Sequence, residues 1–268
     1  MKKILELHDL TGRSAIVTGG GGHLGLAVCE TLMELGAQVA VMDIDQETCD
    51  QRCEALNLNG YIAKAIPIPV DLAVEKKIRK AVRDSSKKMG GLDILIHCAA
   101  LTGDIKLNGW ITPFESQATG AWDAAMNVNL RAAFVLSQEA ARFLKKSVSP
   151  SIIFISSIYG VVAPDLNLYK GTQMGNPAAY GVSKAVLIQF AKYLSTVLAP
   201  KIRVNVISPG GIWRNQKSSF HSGYKTRTPL RRMATEEDLK GAVAYFASNL
   251  SRYVTGQNLV VDGGYTVW

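Results

Sequence analysis

The sequence predicts an α/β fold, a doubly wound seven-stranded parallel sheet in a single domain spanning residues 1–268. Three observations predict it. Short apolar runs alternate with longer amphipathic ones from end to end. The short runs are continuously apolar, the pattern of strands covered on both faces. A glycine-rich turn, Thr18 to Gly25, joins the first strand to the first helix. No composition break, linker or internal repeat divides the chain.

The elements follow in order. Ser14 to Thr18 is a strand, and Leu24 to Leu35 is a helix that Gly36 terminates. Gln38 to Met42 is a strand ending at Asp43, and Gln46 to Leu58 is a helix. Ala65 to Val70 reads as a strand that Pro67 and Pro69 weaken. Glu75 to Lys88 is a polar, basic helix, and Asp93 to Cys98 is a buried strand. Gly120 to Lys145 reads as one long helix, Ser151 to Ser156 as a strand and Ala178 to Leu198 as a helix. Arg203 to Ile207 is a strand, Thr235 to Ala247 a helix with acidic residues in its first turn, and Asn258 to Val261 the last strand.

Composition narrows the function. Hydrophobic residues make up 47% and charged residues 19%, which supplies a core and excludes a disordered or coiled-coil chain. Thirty basic against 22 acidic residues leave +8, which favours anionic partners or simply a basic surface. No nucleic-acid-reading motif is present, and no apolar stretch approaches the roughly 20 residues of a membrane span. The first ten residues make a poor secretory signal. Cys29, Cys49, Cys53 and Cys98 form no CxxC pair, and the histidines complete no zinc pattern, so the expectation is free thiols, no metal and a cytoplasmic protein.

Three motifs carry chemistry. Glycines between a strand and a helix let the backbone approach a pyrophosphate, whose charge the helix N-terminus holds. Here that turn is Gly19-Gly20-Gly21-Gly22-His23-Leu24-Gly25. Asp43 ends the second strand, where a carboxylate accepts hydrogen bonds from an adenosine ribose and repels a 2′-phosphate. Ile44 and Asp45 follow, so no arginine stands ready for that phosphate, and NAD is favoured over NADP. Tyr180 and Lys184 sit at i and i+4 on one helix face. An ammonium there favours phenolate, so the tyrosine can exchange a proton near working pH.

With these motifs the chain resembles the short-chain dehydrogenases/reductases, of Rossmann fold, over about Leu10 to Trp268. Further matches are Asp71-Leu72, Met126 to Leu130, Ile155 to Gly160, Arg203 to Gly210, Val254 to Gln257 and Val261 to Gly264. The resemblance implies Tyr180 as general acid or base and Lys184 as the group that lowers its pKa and holds the nicotinamide ribose. It implies Ser157 as the donor to the substrate oxygen, with Ser156 the rival, and Asn129 as the anchor of a water in the proton path. It assigns cofactor contacts to Gly19, Gly22, His23, Leu24, Asp43, Ile44, Asp71, Leu72, Cys98, Ala99, Ala100, Pro209, Gly210 and Ile212, besides Tyr180 and Lys184. Homotetramers or homodimers are implied, built on the helices at 120–145 and 178–198.

The chain departs from the family at three places. His23 replaces the middle glycine of the loop, as a surface residue or a phosphate contact. His97-Cys98-Ala99-Ala100 replaces Asn-Asn-Ala-Gly, with His97 read as a structural substitute rather than a catalyst. Arg214 stands where a threonine usually contacts the cofactor. Ser157 and Tyr180 lie 23 residues apart, longer than the family's usual interval.

Segments 101–119, 161–177 and 211–232 are expected to border the substrate. The last carries Arg214, Lys217, His221, Lys225, Arg227, Arg231 and Arg232, which points either to an anionic substrate or to a solvated basic loop. Asn215-Gln216, Phe220, Tyr224, Pro229-Leu230, Trp268 and the GHLG loop resemble bacterial oxidoreductases of flagellin or surface-polysaccharide sugar modification. The substrate that resemblance implies is a sugar, sugar phosphate or nucleotide sugar. A 3-oxoacyl reductase, a small polyol dehydrogenase and a non-catalytic dinucleotide sensor are the alternatives.

Overall fold

A computed structural model describes residues 1–102 and 107–268, so the part of the 101–119 segment at 103–106 lies outside the described residues. The apolar runs become strands β1 (Ser14–Thr18), β2 (Gln38–Asp43), β3 (Ala65–Pro69), β4 (Ile94–His97), β5 (Ser151–Ile155), β6 (Arg203–Pro209) and β7 (Asn258–Val261). The helices are α1 (Ile4–His8), α2 (His23–Glu34), α3 (Gln46–Leu58), α4 (Glu75–Lys88), α5 (Thr119–Met126), α6 (Ala132–Leu144), α7 (Ala178–Val197), α8 (Ser218–Arg227) and α9 (Glu237–Ala247).

All seven strands are parallel, in the order β3-β2-β1-β4-β5-β6-β7. The chain winds outward from β1 to β3, crosses back to lay β4 beside β1, then winds outward the other way. The carboxyl ends of β1 and β4 therefore lead their loops apart and leave a crevice between them. Pro67 and Pro69 are accommodated because β3 is an edge strand, where a missing N–H leaves no neighbour unpaired.

Successive strand residues face opposite layers. Ile16, Leu95, Ile152, Phe154 and Val204 pack with Val82, Leu136 and Leu187 of α4, α6 and α7. Val17, Ile94, Ile96, Ile153 and Ile155 pack with Val28 and Leu32 of α2 and Val243 and Phe246 of α9. Both faces are thus covered, which is why the strand sequences show no polar alternation.

Five expectations are corrected, the 161–177 and 211–232 segments being expected as loops. The helix at 120–145 is interrupted by a π turn, Asn127–Arg131, that separates α5 from α6. The 211–232 segment holds a helix, α8, and the 161–177 segment a 3₁₀ turn at Leu166–Tyr169. Helix α9 starts at Glu237 because the Asp238 carboxylate accepts from the Thr235 amide at 2.8 Å and holds that residue outside the helix. Strand β6 runs two residues past Ile207, since β7 continues to pair with it through Pro209.

Phe154, fully buried on β5, stacks on Phe190 at 5.7 Å and meets the His97 ring edge-on at 6.5 Å. Phe154→Ala should lower the unfolding free energy by about 3–5 kcal/mol in a urea titration. A loss below about 1 kcal/mol would mean that the layer collapses to fill the space.

Candidate active site

The crevice opens into a cavity of about 870 Å³ at the carboxyl ends of the strands. Every residue expected to hold the cofactor lines it, as do Ser157, Tyr180 and Lys184. Asn129 does not.

The glycine loop fixes one end. Gly19 has φ +67°, and a Cβ on it would lie 2.7 Å from the Ala99 backbone. A Cβ on Gly25 would collide with the Gly19 carbonyl. These two positions need glycine; the space around His23 does not. His23 opens α2 as an exposed residue on the cavity rim. Asp43 Oδ2 accepts from the Gly21 amide at 3.0 Å and Oδ1 from the Ile44 amide at 2.8 Å, so the carboxylate is fixed beside the loop. A close-turning glycine loop, a helix N-terminus and a fixed carboxylate fit a dinucleotide. Sequence reasoning missed Arg52, whose Nε donates to the Gly21 carbonyl at 3.2 Å. Its separation of 31 residues from the loop gave no signal.

The middle of the crevice is cross-linked by His97. Its Nε2 lies 3.2 Å from the Asn129 carbonyl, which can only accept, so Nε2 carries the proton. Nδ1 then accepts from Thr18 Oγ1 at 2.9 Å, and Thr18 Oγ1 accepts from the Ala99 amide at 3.3 Å. Burial, with Lys184 nearby, pushes the imidazole down to about 3, so it stays neutral. His97 is a structural tie between β1, β4 and the π turn, in keeping with its reading from the sequence.

The Asn129 side chain lies off the lining of the cavity. It is fully buried, with Oδ1 accepting from the Leu101 amide at 2.7 Å and Nδ2 donating to Ser183 Oγ at 2.9 Å. It braces the chain after β4 against α7. The π turn, a feature frequent at functional sites, sets that reach.

Tyr180 and Lys184 lie one turn apart near the start of α7, with Lys184 Nζ 5.8 Å from the Tyr180 ring centroid. Lys184 is buried and donates to the Ile155 carbonyl at 2.8 Å. Desolvation pushes its ammonium down to about 8. Ser156 Oγ is tied to the Lys184 carbonyl at 2.7 Å, whereas Ser157 Oγ accepts a longer bond from the Tyr159 amide at 3.2 Å. Among the described residues, then, the Ser156 hydroxyl hydrogen has an acceptor and that of Ser157 has none.

A family model described as enoyl-(acyl carrier protein) reductase matches residues 22–266. The chain belongs to the short-chain dehydrogenase/reductase family. A sorbose reductase from Candida albicans is 31% identical over 98% of this chain and 90% of its own. A short-chain dehydrogenase from Leptospira borgpetersenii, solved with bound NAD+, is 34% identical over 99% of this chain and 96% of that one, with a TM-score of 0.83. A gluconate 5-dehydrogenase from Burkholderia cenocepacia, solved with NADP and tartrate, is 26% identical over 99% and 100%, with a TM-score of 0.87.

Within this dehydrogenase/reductase, burial of Lys184 couples stability to pH. Its folded value lies below the unfolded 10.5, so between about 8 and 10.5 the unfolded chain holds a proton that the folded one has released. Stability from this group therefore rises with pH across that window. The stability advantage of Lys184→Met over the parent should shrink by ~3 kcal/mol from pH 7 to 10.5, read by denaturant unfolding. A pH-independent difference would show that the ammonium is not desolvated.

Proposed function

We propose that this chain is an NAD-dependent oxidoreductase that interconverts a secondary alcohol and a ketone on a small carbohydrate-like compound. One observation carries the reading: Ser157, Tyr180 and Lys184 share a cavity whose other end is a glycine cradle closed by Asp43. When bound, a nicotinamide dinucleotide supplies or accepts the hydride. The N-terminus of α2, which the glycine loop leaves open, would hold its phosphates, and Asp43 its adenosine ribose.

The protein's own groups supply the proton chemistry. Ser157 Oγ donates to the substrate oxygen and stabilises charge developing there. Tyr180 gives its phenolic proton to that oxygen in reduction and takes it back in oxidation. Protonated Lys184 favours the phenolate of Tyr180 and so brings the exchange toward working pH. Asn129 acts at one remove, by holding Leu101 and Ser183 in place.

The carbohydrate part draws on relatives named for sorbose and gluconate. The choice of NAD rests on Asp43: a 2′-phosphate there would meet a carboxylate already fixed in place. Oligomerisation would cover Trp122, Phe134, Val182 and Tyr193, which stand exposed on α5, α6 and α7.

Two measurements test this. Tyr180→Phe should cut turnover by about 10²-fold or more while leaving NADH affinity within about twofold; undiminished turnover would remove Tyr180 from the reaction. In thermal-shift titrations, NADH should stabilise the parent more than NADPH does, and Asp43→Ala should narrow that gap. A gap that Asp43→Ala leaves unchanged would take the selection away from Asp43.

A further inference from the structure

The basic segment at 211–232 forms the lid of the cavity, and Arg214, Lys217, Arg227, Arg231 and Arg232 are each engaged by a nearby carboxylate or carbonyl. Arg227 pairs with Asp165 at 2.6 Å, and Lys217 Nζ donates to the Gly171 carbonyl at 2.7 Å, so α8 is strapped to the 161–177 segment. The Tyr169 and Phe220 rings, 5.4 Å apart, pack between the same two segments. The C-terminal residues complete the cover. Tyr265 stacks on Tyr224 at 4.7 Å, and Trp268 Nε1 donates to the Arg227 carbonyl at 2.8 Å. Arg232 grips Asp238 with two bonds of 2.5 and 2.6 Å, and Arg231 donates to the Thr226 carbonyl.

Arg214 is the arginine of this segment that reaches the cavity. Glu236 meets it at 2.5 Å, and its guanidinium also donates to the Trp213 carbonyl. Lys184, beneath Tyr180, belongs to the proton exchange. Among the described residues, the other charged side chains of the lining are Asp43 and Asp71 at the cofactor end.

What remains at the substrate end is, among the described residues, uncharged. Tyr169 and Tyr159 join hydroxyl to hydroxyl at 2.7 Å, with Asn176, Met174, Phe220 and Met233 around them. Burial raises both phenols, so both stay protonated. A phenol hydrogen rotates between partners, so a joined pair can present a donor or an acceptor to a ligand hydroxyl.

We infer that the substrate is an uncharged polyol or ketose, one of whose hydroxyls is read by the Tyr159–Tyr169 pair, and is neither a phosphate ester, a nucleotide sugar nor a carboxylate. The inference rests on the carbohydrate reading above and makes it specific. Moving a phosphate from water into this end of the cavity is strongly unfavourable unless a cation meets it. Among the described residues, the one cation in position is already balanced by Glu236, so a second anion there would be left without a partner. The ion pairs of the lid also explain the chain's cation-rich segment without calling on an anionic ligand.

The test uses the full chain with NADH and five probes: sorbose, fructose, fructose 6-phosphate, gluconate and acetoacetyl-coenzyme A. Turnover is followed by NADH absorbance, and binding of each probe to the NADH-loaded protein by calorimetry. The neutral ketoses should exceed fructose 6-phosphate in kcat/KM by on the order of tenfold or more, and gluconate should fail to bind. Preference for fructose 6-phosphate, or tight binding of gluconate, would overturn the uncharged substrate and leave the carbohydrate reading standing. Turnover of acetoacetyl-coenzyme A alone would overturn both.

Tyr169→Phe should raise KM for the preferred ketose about fivefold, the factor that one lost hydrogen bond gives, with kcat and NADH affinity within about twofold. An unchanged KM would overturn hydroxyl reading by the pair. Glu236→Gln releases Arg214 and should improve binding of fructose 6-phosphate with little effect on fructose. Improved binding would confirm that the Arg214–Glu236 pair is what keeps the anion out; unchanged binding would overturn that account.

Discussion

The structure depends on how closely the backbone passes at the crevice between β1 and β4. The connections after the two strands lead to opposite sides there, yet the loop after β1 touches the chain after β4 at Gly19 and Ala99. Nothing larger than glycine fits at Gly19, and the turn above it closes only because Gly25 also lacks a side chain. The same contact joins the cofactor end of the cavity to the end that carries Tyr180. His97 ties the two sides beneath it, through Thr18 on one side and the Asn129 carbonyl on the other. A buried histidine can do this because each ring nitrogen has a partner that fixes its proton. Two side chains thus hold the floor together, while two missing side chains leave room above it.

On that floor stands a buried ammonium. Lys184 has a carbonyl partner, Ile155, and no carboxylate partner among the described residues. Its charge is under-compensated inside the protein, which costs stability. The same isolation makes it effective on the neighbouring phenol, because little else screens the field between them. The cost to stability and the capacity for proton exchange have one origin.

The lid shows the opposite use of charge. Arg227, Lys217 and the Trp268 indole find a carboxylate or carbonyl close by and stitch together segments far apart in the chain: 165 to 227, 171 to 217, and 227 to 268. Such pairs near the surface add little stability each. Together with the rings between them they fix the shape of the substrate end, and with it which groups face inward. A net charge of +8 therefore says little about the ligand, since charge already paired inside the fold is not available to a partner.

The sequence by itself determined the strand order's raw material and most of the cavity. Continuous apolar runs mark doubly covered strands, and the predicted cofactor contacts line the cavity because local motifs place them at strand ends. Strand β3 was legible despite its prolines, and so were Tyr180 and Lys184, because a spacing of four is a local property of a helix. Only the tertiary structure decided the rest. The π turn that sets the reach of Asn129 depends on packing against His97 and Ser183, and the approach of Arg52 to Gly21 spans 31 residues. The lid cations reveal their partners only when the segments meet, since a sequence shows charge but not distance. Local backbone preferences are written residue by residue, whereas the pairing of charges and the burial of a side chain exist only between residues that folding brings together.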